Sequence, residues 1–139
     1  KVVDNSTINN FMIKEFKSSG DGRINYKIKN NLTMSSSSKS ENIILLNLIS
    51  KKRKTIKEKN IKNQITKYQI TLTSKINLQS IANTKKISFN IIESGEFLVG
   101  TNNLETISNE KKIIDQLTEE LSENILKKIN SEIYDSKKQ

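Results

Sequence analysis

The chain has 139 residues, with 24 Lys and Arg against 15 Asp and Glu, and it contains no Cys, His, Trp or Pro. Without Cys there is no disulfide framework and no thiolate, and without His there is no Ser-His-Asp triad or imidazole base. These absences exclude most hydrolases and every metal site built from nitrogen and sulfur ligands. A chain of this length is one domain, and we predict that it has no catalytic residue, metal or cofactor.

The positive charge is concentrated in the first part of the chain. Residues 1–86 carry 18 basic and 5 acidic side chains, whereas residues 87–139 carry 6 basic and 10 acidic ones. A basic surface favours anionic partners, which include nucleic acid, membrane surfaces and phosphorylated lipids. No stretch approaches the roughly 18 apolar residues of a membrane-spanning helix, so we predict that no segment crosses a membrane.

The first predicted elements are a strand and a helix. Residues 8–16 have the composition of a short strand, which the polar run at 18–22 ends. Apolar residues then recur at every fourth position from Ile24 to Leu32, and this spacing predicts a helix of about three turns with one apolar stripe. Asp21 is placed to cap the start of that helix.

Three strands are predicted after a serine-rich loop. Residues 42–58 begin apolar and become basic, which predicts a strand that is partly buried on both faces at its start. Residues 66–80 form the next predicted strand: apolar and polar side chains alternate from Tyr68 to Leu78, and only Ser74 interrupts the apolar parity there. The same alternation resumes over residues 86–99, so each of these strands should bury one face.

The last two of these strands form a long hairpin. Residues 66–80 would reach about 50 Å as a straight strand, whereas a common strand is roughly 17–20 Å long. This length predicts a sheet that extends past the compact core. Gly95 is predicted to mark a bulge or a bend. The alternative, which the sequence leaves open, is a bend near Ser74 or Gly95 that folds the hairpin back.

The final element is an amphipathic helix over residues 106–134, because apolar residues recur there every three or four positions. Ser108 or Thr106 is predicted to cap it, with Glu110 in its first turn. The fold class that follows is α+β, a two-layer sandwich of order β-α-β-β-β-α with two helices on one face of a four-stranded sheet. Residues 1–139 form the domain, and residues 135–139 are predicted to be a disordered tail.

The order of elements and two local segments carry a family resemblance. Residues 65–73 contain a Tyr-Gln pair after a polar turn, and they resemble the strand signature of the LPS-assembly lipoproteins. These are the LptE-like subunits of the outer-membrane lipopolysaccharide translocon, here of the alphaproteobacterial type. Residues 108–129 resemble the family's C-terminal helix, and residues 95–106 resemble the loop after its last strand. The resemblance covers residues 8–134 as an ordered pattern of elements.

The resemblance implies a location, two partners and a role. The location is the periplasmic side of the outer membrane, with a lipid anchor on a Cys upstream of residue 1. The partners are an LptD-type β-barrel and lipopolysaccharide. The role is to plug the barrel, help it to assemble and bind lipopolysaccharide during its transport, with no bond-making step and no cofactor.

The resemblance also implies where lipid is bound. Family members place a basic residue just before the Tyr-Gln strand for contact with lipid A phosphates, and the nearest matches here are Lys59 and Lys62. A second basic residue is expected just before the final helix, but residues 105–107 are Glu-Thr-Ile. Lys111 or Lys112 could take its place.

The densest basic cluster of the sequence is residues 51–62, with seven basic side chains and one acidic one. Several cations along one strand can bind phosphate dianions, and an Arg adds a bidentate fork. The alternative interpretation is a solvated edge strand whose lysines prevent aggregation. The predicted lipopolysaccharide contacts are Arg53, Lys59, Lys62, Lys51, Lys52, Lys54 and Lys57, and the predicted barrel contacts on the hairpin are Lys75, Asn77, Gln79 and Asn83.

Other functions receive less support from the residues. Nucleic-acid binding usually uses aromatic side chains among the cations or a recognition helix. Tyr68 shares the apolar parity of its strand and is predicted to be core, and the helix at 106–134 carries more acids than lysines. Glu119 and Glu123 share a helix face opposite the apolar stripe, so they read as an exposed charged face. The alternative function is a periplasmic α+β adaptor that binds a peptide or another anionic ligand.

Overall fold

The computed structural model describes residues 11–37, 40–82 and 84–137, and it confirms the predicted α+β fold and order of elements. The sheet has the strand order β1-β2-β3-β4, in which β1 and β2 are parallel and the other neighbours are antiparallel. The elements are β1 (Met12–Gly20), α1 (Gly22–Ser35), β2 (Ile43–Lys59), β3 (Ile65–Ser80), β4 (Lys86–Leu98) and α2 (Asn103–Lys137).

The core lies between one face of the sheet and the two helices. Even-numbered residues of β2 from Ile44 to Ser50 and of β3 from Ile70 to Leu78 are buried on that face. The apolar stripes of both helices pack against it, because their Ile and Leu residues recur at helical spacing. The buried apolar residues of the helices are Ile24, Ile28 and Leu32 in α1, and Leu117, Leu121, Ile125, Ile129 and Ile133 in α2.

The turn between β1 and α1 determines where the pairing of β1 with β2 ends. Gly20 has a φ of 88°, and a Cβ at this position would overlap the carbonyl oxygen of Ser50. The chain turns there, and the next amide, that of Asp21, donates to the Ser50 carbonyl at 2.9 Å. The Asp21 carboxylate accepts a hydrogen bond from the amide of Ile24 at 3.1 Å, which confirms the predicted cap. As a result β1 ends opposite Ser50, whereas β2 continues to Lys59.

Gly95 does not mark a bulge, and that prediction was wrong. The ladder between β3 and β4 runs without a register shift from Lys67–Leu98 to Gln79–Lys86. A Cβ at Gly95 would lie 2.7 Å from Cδ1 of Ile113. The glycine is therefore explained by the close approach of α2 to the sheet.

The start of α2 also differs from the prediction. The helix begins at Asn103, and the Asn102 side chain accepts a hydrogen bond from the amide of Glu105 at 2.8 Å, so Asn102 is the cap. Thr106, one of the two predicted caps, lies inside the first turn, where its hydroxyl accepts from the amide of Gly100 at 2.8 Å. At its other end α2 continues to Lys137, so residues 135–137 of the predicted tail are helical. Residues 138–139 lie outside the described residues.

Candidate functional site

The second half of β2, residues 51–59, is exposed at every position, and we call it the basic strand. It is a sheet edge because β1 stops opposite Ser50, so that β3 is the only described strand that pairs with it. Lys62 lies in the turn that follows and is also exposed. The predicted lipopolysaccharide contacts therefore lie along one exposed strand and its turn: Lys51, Lys52, Arg53, Lys54, Lys57 and Lys59 on the strand, with Lys62 beside them. They are divided between its two faces, because Lys52 and Lys54 lie on the side of the helices and Lys51 and Arg53 on the opposite side.

Lys54 differs from its neighbours because its charge already has a partner. Its Nζ donates to Oε1 of Glu110 on α2 at 2.6 Å. The same Nζ lies 4.4 Å from the centroid of the Tyr68 ring and 5.4 Å from that of Phe97, and these two rings stack at 5.4 Å. Lys54 therefore contributes mainly to packing α2 onto the sheet.

The other cations of the basic strand form no ion pair with an acidic side chain among the described residues. Lys54 is the strand's only cation with an ion pair to an acidic side chain in the part of the chain that the structure describes. Lys51 and Arg53 pair with Thr73 and Thr71 of β3, whose parity places them on the face of the sheet opposite the helices. This bare face thus presents cations that are free to bind an anion.

Exposed apolar side chains lie at the same end of the molecule as the basic strand. Ile61, at the tip of the β2–β3 turn, is fully exposed. The amide of Val99, just after β4, donates to the carbonyl of Thr66 at 3.0 Å, which places the start of α2 near this turn. A surface with both cations and apolar groups suits an amphiphile that carries phosphates and acyl chains. The exposed apolar residues at this end are Ile56, Ile61, Leu98, Val99, Leu104 and Ile107.

The predicted barrel contacts lie on the same bare face, on the part of β3 beyond the residues that pair with the basic strand. Lys75, Asn77 and Gln79 have the parity of the bare face, and Lys75 is exposed. Asn77 and Gln79 line a groove of about 420 Å³, whose other walls include Glu15 and Lys17 of β1. The Ser88 hydroxyl donates to Oδ1 of Asn77 at 2.8 Å and holds that amide in place. Asn83, the fourth predicted contact, lies outside the described residues.

Sequence reasoning missed a cleft between the two helices. The cleft has a volume of about 430 Å³, and its lining includes Arg23 of α1, Lys52 of β2 and Lys111 of α2. Acidic residues line it too, namely Asp21, Glu110 and Asp115. The basic residues come from three elements, so their spacing in the sequence could not have predicted the cleft. Lys111 is one of the two residues named in place of the missing family cation, and the fold brings it to the same cleft as Lys52.

The acidic side chains of α2 remain on the surface. Glu119 and Glu123 are exposed, in agreement with their interpretation as a solvated face. Within residues 11–37, 40–82 and 84–137, no group of three or more acidic side chains is placed to hold a metal ion. Neither described helix is long and apolar enough to cross a membrane.

The fold is that of several bacterial lipoproteins of known structure, although no protein-family model and no curated protein matches the sequence. One such structure is rare lipoprotein B from Shewanella oneidensis, with a TM-score of 0.70 and 11% identity over 89% of this chain and 99% of that chain. A protein from Caulobacter crescentus, also described as a lipoprotein, gives a TM-score of 0.62 and 10% identity over 95% and 96% of the two chains. Lipoprotein B from Nitrosomonas europaea gives 0.55 and 12% over 88% and 86%. At such low identities, the similarity establishes the fold.

Proposed function

We propose that this chain is an LptE-like, non-enzymatic lipoprotein of the outer membrane. In this role it faces the periplasm, plugs and helps to assemble an LptD-type β-barrel, and binds lipopolysaccharide during its transport to the cell surface. The observation that carries the proposal is the match of fold with rare lipoprotein B over 99% of that chain. The Tyr-Gln strand and the final helix, on which the family resemblance rests, are β3 and α2 of this fold.

The basic strand supports lipid binding on chemical grounds. Lipid A phosphates are anions with several acceptor oxygens, and lysines supply compact charges while Arg53 supplies a planar fork. Lys51, Arg53 and Lys59 are exposed and have no acidic partner in the described part of the chain, so no internal ion pair must break before they bind phosphate. The apolar side chains at the same end, such as Ile61, can contact acyl chains.

The uncovered bare face is the observation that supports a contact with the barrel. Both helices lie on one face of the sheet, so the opposite face of β3 and β4 is left without a covering layer within the described residues. A polar interface suits a plug inside a barrel with a polar interior. Lys75, Asn77 and Gln79 supply polar groups on that face.

Co-purification from outer membranes tests the proposal. We expect the tagged full-length protein to recover a large β-barrel protein, and Lys75→Glu to reduce that recovery several-fold. The matched control is Lys127→Glu, which makes the same charge change at an exposed lysine on α2 and should leave recovery unchanged. Recovery of the wild-type protein as a free monomer with no barrel partner would refute the proposed assembly.

A further inference from the structure

The hydrogen bonds in the first part of β2 show to which side each main-chain N–H and C=O group of this strand points. The carbonyls of Asn42 and Ser50 accept from Met12 and Asp21, at 2.8 and 2.9 Å, on the β1 side. The carbonyl of Ile43 instead accepts from Ile81, on the β3 side, at 3.0 Å. Main-chain groups alternate in direction along a strand, so even-numbered residues of β2 point theirs toward the β1 edge.

This parity continues beyond the end of β1. The register of β2 with β3 is regular from Ser50 to Ile56, and the first shift occurs after Ile56. The N–H and C=O groups of Lys52 and Lys54 therefore face the open edge, and neither has a main-chain partner there among the described residues. Such an edge is a template on which an extended chain can add a strand.

The charge of this edge indicates what kind of chain fits it. Residues 51–59 contain six cations and one acid, Glu58. A second copy of the same strand would place cations opposite cations, which is destabilising. An added strand with acids at alternate positions would instead place carboxylates beside Lys51 and Arg53 on the bare face.

We propose that the open edge at residues 51–56 binds an extended acidic peptide segment of a partner protein by strand addition. The main chain of Lys52 and Lys54 supplies the ladder hydrogen bonds, and Lys51 and Arg53 supply the charge selectivity. This goes beyond the proposed function, since lipid phosphates need only the side chains, whereas an added strand also needs the backbone N–H groups.

Lys52→Pro and Lys52→Ala separate the two requirements. Both variants remove the same charge, but only Pro removes the N–H, and a Pro is tolerated at an edge whose N–H faces solvent. The probe is a synthetic peptide of alternating Glu and Val, with an alternating Lys and Val peptide as the control. We expect the acidic peptide to bind Lys52→Pro about tenfold more weakly than Lys52→Ala, which corresponds to one lost hydrogen bond and a steric block.

Amide hydrogen exchange of the wild-type protein gives a second measurement that needs no variant. The acidic peptide should slow exchange at the amides of Lys52 and Lys54 and leave that of Arg53, already within the β2–β3 ladder, unchanged. Equal peptide affinity of the two variants, or no added protection at Lys52, would overturn strand addition. Lipopolysaccharide should bind both variants equally, so a failure of lipid binding is distinguishable from a failure of this inference.

Discussion

Lys54 and Glu110 join the basic strand to α2 through an ion pair of 2.6 Å. The ammonium group of Lys54 also lies over the ring of Tyr68. One lysine of the predicted lipid site therefore contacts α2, while its neighbours on the strand remain free of acidic partners among the described residues.

Lys54→Gln should lower the free energy of unfolding by about 1 kcal/mol, because it removes an exposed ion pair and a cation–π contact. Lipopolysaccharide affinity should change little, since this charge is already neutralised. Lys51→Gln is the matched control and should show the reverse, with unchanged stability and weaker binding. Urea unfolding and a lipopolysaccharide binding titration measure the two effects, and similar behaviour of both variants would contradict the distinction.

Gly20→Ala should lower the free energy of unfolding by more than about 2 kcal/mol, since a Cβ here meets the Ser50 carbonyl and a positive φ disfavours Ala. Gly22→Ala, two residues along, is the control, because a Cβ there meets nothing within 4 Å. In the first turn of α1 it should raise stability by up to about 1 kcal/mol. Urea denaturation of both variants tests the pair, and equal stabilities would show that the junction is not constrained as described.

Ser50 and Ser74 form a buried cross-strand pair, with their hydroxyl oxygens 2.9 Å apart. Ser74→Ala should lower the free energy of unfolding by about 1–3 kcal/mol, because it leaves the Ser50 hydroxyl buried without its partner. Adding Ser50→Ala should restore much of the loss, since both polar groups are then gone. A double-mutant cycle by urea unfolding measures this, and simple additivity would show that the two hydroxyls are not coupled.

The sequence predicted the parts of the fold that depend on local patterns. The period of the apolar residues located both helices and the burial of β3, and Asp21 was recognisable as a cap from its position before the stripe. Ser74 interrupted the apolar parity of β3, yet it is buried like its apolar neighbours. Its partner, Ser50, lies on another strand, so the pattern within β3 did not explain it.

Other features depended on tertiary contacts or on a signal that was overlooked. A glycine within a strand can mark a bulge or can leave room for a neighbouring side chain, and the sequence is the same in both cases. The position of α2, with Ile113 against Gly95, decides for the second. Asn102 followed three residues later by Glu105 fits a capping pattern that sequence reasoning passed over in favour of Thr106. To predict the open edge of the basic strand, one must know that β1 ends opposite Ser50 while β2 continues, and no local sequence pattern shows this.

Lipopolysaccharide crosslinking tests whether the basic strand binds lipid. A photoreactive residue is placed at 53, 59 or 62 on the basic end, and at 119 or 123 on α2 as the control, all of them exposed positions. Labelling is then measured in cells that transport lipopolysaccharide. We expect strong crosslinks at 53, 59 and 62 and weak ones at 119 and 123. Equal labelling of the two sets would contradict a lipid site on the basic strand.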